Sequence, residues 1–393
     1  MPKVRRATPI VLTLTLAALL GGCFEPPVAE RMLLEFLSDG AARATLMIDL
    51  GRAEDFESAA VRKRIATAER ELVAGTDPWL ARFESLTQGS DGTSFRRTRG
   101  ALREFRRWAE LDDPAAFSEL FAGDPVDYQY SRNGDRATLE ISASGASRGT
   151  RKERERVQRE VAEWSLAFSH YVERVFELEQ LLVDQPEKRR GCWQRVFGVK
   201  GDGGVDGVDG VDGEGRDAAS AVELTPAEAA VAKAVGDSLA ELLGAFEIDA
   251  REGFSLDERV RKVFHPLSAQ LFVSLPAPAN EVEGFEAPSA EEQAGEEDFA
   301  YAFPERSLIT ALDALEARWL VAGPARALFD HLRMNPDGEM DIARFVAGPV
   351  LQESATPPGP TEVADPLLEL LRPEGAYRLV WRIPNPEPDP EQP

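Results

Sequence analysis

The chain has 393 residues, of which 43% are hydrophobic, enough for real cores and for two or three domains. Its 69 acidic against 45 basic side chains give a formal charge of −24, which argues against nucleic acid as a partner, because phosphate backbones are held by an excess of lysine and arginine. The acidity is one-sided: residues 24–200 carry 28 basic and 31 acidic groups, residues 201–393 carry 14 and 38.

The first segment has a basic start at Lys3, Arg5 and Arg6 and an apolar run over 10–20 broken only by Thr13 and Thr15. That is the layout of a secretory signal, and it is too short for a permanent membrane span. The run ends in Leu20-Gly21-Gly22-Cys23, which resembles the lipobox of bacterial lipoproteins; the resemblance covers residues 1–23, and no family is recognised for the mature chain. It implies that residues 1–22 are cleaved as a signal peptide, that Cys23 is acylated through its sulfur with chains such as palmitate, and that the new amino terminus is acylated as well. Several acyl chains anchor stably where one alone is marginal. In that family an Asp directly after the Cys retains the protein at the inner membrane; here the residue is Phe24, so the outer membrane is the expected location, on its periplasmic or surface face. Residues 23–30 form the lipidated Cys and a short tether, about eight residues that reach roughly 25–30 Å at most. Cys192 is then the sole thiol of the mature chain, so no intrachain disulfide can form, and beside Trp193 and Phe197 it is expected to be buried and inert.

Residues 31–145 are expected to form an antiparallel α+β domain. Two strands flank Ser38-Asp39-Gly40, a helix over 54–74 carries Val61, Ile65, Ala68 and Leu72 on one face, and a short helix follows Asp113-Pro114. A second hairpin turns at Asn133-Gly134-Asp135. Residues 94–111 read as two further strands turning at Gly100 rather than as an Arg-rich helix, which would complete one antiparallel sheet with helices on one face.

Over 151–184, Val157, Val161, Trp164, Phe168, Tyr171, Val175, Leu178 and Leu182 recur at spacings of four and three, a heptad stripe. Three consecutive aromatic positions fit poorly into a dimeric coiled coil, so an intramolecular partner helix is expected. It would begin at the capping box Thr225-Pro226-Ala227-Glu228 and continue through Val231, Val235, Leu239, Leu242 and Phe246. Residues 150–250 thus read as a long helical pair joined by a flexible Gly/Asp linker at 200–216, whose Val-Asp-Gly triplets are of low complexity. Residues 251–383 read as an acidic α+β part. It has a capping box at Ser255–Glu258, a strand over 267–275, a short strand over 281–285, helices over 307–319 and 324–332, a polar Pro-rich stretch over 355–366 and a strand over 377–383. Residues 384–393 read as a disordered Pro-rich tail.

No catalytic signature, metal site or cofactor site is expected. Gly145-Ala146-Ser147-Arg148-Gly149 matches a nucleophile-elbow pattern, yet the strand before it belongs to a hairpin and not to a buried parallel sheet, so a linker is the simpler reading. His170, His265 and His331 have no metal spacing and read as helix-surface or helix-end residues, with His265 placed for a C-terminal dipole contact. Residues 335–341 resemble the middle of a calcium loop, but Arg333 and Arg344 fall where carboxylates are needed, leaving an Asp-Gly turn.

The densest basic cluster is Arg96, Arg97, Arg99, Arg103, Arg106 and Arg107. On a tethered domain it would face the membrane while the acidic half is repelled outward. The functional expectation is an envelope lipoprotein with a structural or protein-interaction role, its partners being the membrane through Cys23 and an envelope protein. A second reading is a carrier for a lipid or other apolar ligand lined by Trp164, Phe168 and Tyr171, and a third is a serine hydrolase using Ser147.

Overall fold

The computed structural model describes residues 27–86, 91–145, 147–196, 224–287, 299–321, 323, 350–352, 355–371 and 374–384. The signal peptide, Cys23, the Gly/Asp linker, the helical stretch at 324–332, His331, the calcium-loop resemblance and the end of the tail lie outside the described residues.

In chain order, β1 (Val28–Phe36) and β2 (Ala42–Leu50) form the first hairpin, followed by α1 (Ala59–Ala74) and α2 (Pro78–Ser85). Then come β3 (Asp91–Thr98), β4 (Ala101–Leu111), a 3-10 helix at Pro114–Phe121, β5 (Val126–Asn133) and β6 (Arg136–Ser144). The helices α3 (Arg151–Leu182), α4 (Pro186–Val196), α5 (Pro226–Gly244) and α6 (Leu256–Phe264) precede β7 (Gln270–Leu275), β8 (Glu281–Glu283) and β9 (Phe299–Ala302). The chain closes with α7 (Leu308–Trp319), α8 (Pro360–Leu370) and β10 (Glu374–Arg382). Helices and predominantly antiparallel sheets make this an α+β fold.

Two units divide these elements. The sheet unit takes Glu25–Glu155, Ile248–Ser307 and Leu371–Pro393, and the helical unit takes Arg156–Glu247 and Leu308–Leu370. Residues 251–383, read from the sequence as one part, are therefore shared between them. The reason is strand pairing at long range. β7 lies parallel to β1 in a six-stranded sheet of order β3-β4-β2-β1-β7-β9, and β10 lies between β6 and β8 in a four-stranded sheet of order β5-β6-β10-β8. The hairpin β5–β6 accordingly sits in the second sheet, and residues 31–145 do not make one sheet alone.

Period-2 alternation sends Met32, Leu34 and Phe36 from β1, and Ala42, Ala44, Leu46 and Ile48 from β2, into one buried face. The two sheets share that core. The Phe36 ring lies 4.8 Å from Trp381 on β10 and 5.5 Å from Tyr130 on β5, and Phe303 lies 4.2 Å from Tyr377. Residues 94–111 are strands, and their turn is made by Arg99 at φ 52° with Gly100 at φ 86°. Two successive positive φ values match the right-handed twist of a tight hairpin, and they are unfavourable for the non-glycine member. The short element after Asp113 is 3-10 helical, and the Asp113 carboxylate accepts from the Ala115 amide at 2.9 Å.

In the helical unit every member of the α3 stripe is buried. A third helix accompanies the two that the sequence marks. α4 intervenes with Cys192, Trp193 and Val196 buried, and it is α4 whose backbone runs close to α5, with Val196 against Gly236. α3 meets α5 at the Trp164 indole N–H, which donates to the Leu242 carbonyl at 3.1 Å. Both capping boxes form, Thr225 with Glu228 and Ser255 with Glu258. The stretch read as polar and Pro-rich holds α8. Pro360 occupies its first position, where no N–H is needed, and Val363, Leu367 and Leu371 are buried one turn apart.

Candidate functional site

The register of the six-stranded sheet fixes where the basic cluster lies. Ala29, Asp49, Glu104 and Arg96 occupy one cross-strand row over β1, β2, β4 and β3. Toward the chain start, β1 ends at Val28, whereas β4 and β3 continue through Arg103, Leu102, Ala101, Arg97 and Thr98 to the turn at Arg99-Gly100. At about 3.3–3.4 Å per residue the tip projects roughly 10 Å past that row, on the side from which the chain enters β1. A β-bulge between Arg96 and Arg97 sits at the base of the projecting part.

The six arginines thus stand at two levels. Arg96, Arg97, Arg99 and Arg103 lie on or beyond the row, whereas Arg106 and Arg107 lie on its far side. Their partners also differ. Glu104 pairs with both Arg96 and Arg106, so one carboxylate serves two guanidinium groups. Partial burial works against its ionisation, yet hydrogen bonds from Arg106 and Arg96 together hold its carboxyl below the usual range. Arg107 pairs with Asp91, Arg103 with Glu54 at 3.6 Å, and Arg97 with Glu69 at 3.5 Å. Arg99 is exposed at the tip and has no carboxylate partner among the described residues. Phe95, 48% exposed, stands beside these arginines with its ring against Phe105.

A second concentration of ionisable groups was invisible in the sequence, since its members come from five separate segments. Glu30 on β1 accepts from the Trp79 indole N–H at 2.9 Å, and the Arg82 guanidinium lies 4.6 Å from the Trp79 ring. Arg82 also donates to the Leu120 carbonyl at 2.8 Å and reaches Asp124 at 3.4 Å, while the Ser268 hydroxyl donates to Asp124 at 3.0 Å. Arg148, from the segment after β6, is close enough to feel the charges of Asp124 and Glu30. Burial pushes the Glu30 carboxyl above its ordinary range, against the lowering effect of the Trp79 hydrogen bond, and burial likewise lowers the Arg148 guanidinium. Two carboxylates, two guanidinium groups and a hydroxyl thus form a network of hydrogen bonds and an ion pair that ties β1, α2, the segment around Asp124 and the approach to β7 together. Only the Asp77-Pro78 start of α2, a capping residue followed by Pro, could have pointed to this region from the sequence.

The remaining candidates are held by ordinary structural contacts. Ser147 follows an antiparallel strand and its hydroxyl accepts from Arg154 at 3.1 Å. His265, at the end of α6, is buried, with Nδ1 2.9 Å from the Leu267 carbonyl, and burial lowers its pKa. That disfavours the imidazolium a dipole contact would need; His170 is exposed on α3, as a helix-surface residue should be. Trp164, Phe168 and Tyr171 are buried, with successive ring centroids 6.0 and 6.1 Å apart and Trp319 6.2 Å from Phe168. The Cys192 thiol is fully buried, and burial together with Glu228 pushes its pKa to about 11, which keeps it protonated and unreactive. Among the described residues no group of three or more His, Cys, Asp or Glu side chains could hold a metal ion. No described helix is long and apolar enough to cross a membrane.

The chain matches no known protein family, and no curated protein or solved structure is significantly similar to it.

Proposed function

We propose that this protein is an envelope lipoprotein, held at a membrane surface through acylated Cys23, whose role is structural or one of protein interaction and not catalytic. The observation that carries this reading is how soon after Cys23 the folded chain begins. β1 starts at Val28, five residues on, so the sheet unit lies within about 18 Å of the acylated residue even with the chain fully extended. A domain leashed so closely works at the lipid surface. Ser147, the serine of the elbow-like pattern, accepts from Arg154, a contact that does not activate a hydroxyl as a nucleophile. The mutual packing of Trp164, Phe168, Tyr171 and Trp319 supports a core in preference to a cavity for an apolar ligand.

Metabolic labelling with a palmitate analogue tests the anchor. Label should appear in the processed protein and disappear in Cys23→Ser, which should also leave the membrane fraction. An unlabelled wild-type protein, or a Cys23→Ser variant that stays membrane-bound to the same extent, overturns the reading.

A further inference from the structure

We propose that the tip of the β3–β4 hairpin is a second membrane contact, docking Arg96, Arg97 and Arg99, with Phe95 beside them, on anionic lipid headgroups of the bilayer that holds Cys23. This rests on the anchored reading above and adds to it an orientation. Four observations converge. The tip projects roughly 10 Å in the direction from which the tether enters, and the tether itself spans at most about 18 Å from Val28, so bilayer and tip are brought within reach of each other. Residues 95–100 carry three arginines and no acidic residue, and β3 and β4 with their turn carry six arginines against Asp91, Glu104 and Glu110. Arg99 is unpaired by any described carboxylate, and Arg96 shares Glu104 with Arg106, so positive charge is left over at the tip. Phe95, one residue behind Arg96 and 48% exposed, adds an apolar ring at the rim of the contact.

The far-side pair is excluded by position. Arg106 and Arg107 lie two and three residues past Glu104, roughly 7–10 Å farther from the tip, about one screening length at physiological salt.

The mature chain without acyl groups, mixed with vesicles containing one-quarter phosphatidylglycerol, should bind measurably, and should bind pure phosphatidylcholine vesicles far less. A basic residue close to an anionic surface contributes about fivefold to partitioning, so Arg96→Gln/Arg97→Gln/Arg99→Gln should weaken binding by roughly tenfold to one hundredfold, the lower figure allowing for the Glu69 and Glu104 pairs. Arg106→Gln/Arg107→Gln should change it little, and high salt should abolish it. Equal binding of the triple variant and wild type, or equal binding to both kinds of vesicle, overturns the proposal. So does loss, in the triple variant, of an acidic protein partner with vesicle binding intact. These outcomes leave the acylation of Cys23 untouched, so the two readings fail separately.

A second measurement does not depend on the triple variant folding. In the acylated protein on vesicles, Thr98→Cys offers an exposed thiol at the tip, while the buried Cys192 stays unlabelled. A polarity-sensitive dye there should shift to the blue and be quenched by brominated lipid chains on anionic vesicles only. A dye that reports bulk water on both surfaces overturns the proposal.

Discussion

Glu30 shows how one side chain sets a pH dependence for the sheet unit. It points from β1 toward Trp79, with Asp77, Arg148 and Arg64 as its charged neighbours, and burial raises its folded pKa above the usual 4.5. A raised folded pKa means that the folded state holds the proton more tightly than the unfolded one. The contribution is therefore complete below the ordinary glutamate pKa and is lost as pH rises through the folded value. In Glu30→Gln the amide oxygen still accepts from Trp79 and nothing titrates. Urea midpoints of the two proteins should thus converge near about pH 4, with the variant gaining on wild type as pH increases. A wild type that gains on the variant over that range would contradict the assignment. Nothing in the local pattern marks Glu30: it occupies an inward position of β1 like Met32 and Leu34, and only the arrival of Trp79 and Arg148 from elsewhere makes the site.

Among the elements, α3, α4 and α5 are joined by charge as well as by their apolar faces. The Arg189 guanidinium on α4 donates to both oxygens of Glu179 on α3 at 3.0 and 2.8 Å, and the Trp193 indole adds a third bond at 2.8 Å. On the other side, Lys188 reaches Glu228 at 3.1 Å, within the capping box of α5. Glu179 and Arg189 are both nearly buried, so Glu179→Ala would strand a cation and an indole N–H. Denaturant unfolding should record a loss of about 3–5 kcal/mol, and a loss below 1 kcal/mol would mean that the pair is solvated. The stripe of α3 and the capping box of α5 were readable because both are local: one is a spacing, the other a four-residue signature. α4 was not, because its Lys188, Arg189 and Arg190 mask the three residues it buries. α8 was hidden by Pro360 and Pro366, although the spacing of Val363, Leu367 and Leu371 would have revealed it. Hairpins announce themselves through Asp-Gly and Asn-Gly turns, whereas the pairing of Arg31 on β1 with Gln270 on β7 leaves no comparable local trace.

For the whole molecule, the sheet unit is completed by residues from the far end of the chain. β10 lies between β6 and β8 and contributes Tyr377, Leu379, Val380 and Trp381 to buried positions. Truncation before Glu374 should therefore abolish the cooperative unfolding of the sheet unit. Four buried side chains at about 2–5 kcal/mol each match or exceed the ~5–15 kcal/mol by which a domain is usually stable. Limited proteolysis checks this: the truncated sheet unit should be cut as fast as denatured protein, and survival of a resistant fragment spanning β1 to β6 would refute it.

The placement of β10 also bears on the order of events during synthesis. Ribosomes add roughly 5–20 residues per second, so tens of seconds pass between the emergence of Phe36 and that of the Trp381 it must touch. Until β10 is made, β6 has no neighbour on the side away from β5, so the nascent chain carries an open strand edge through most of its synthesis, and a chaperone that shields such edges would act on β6.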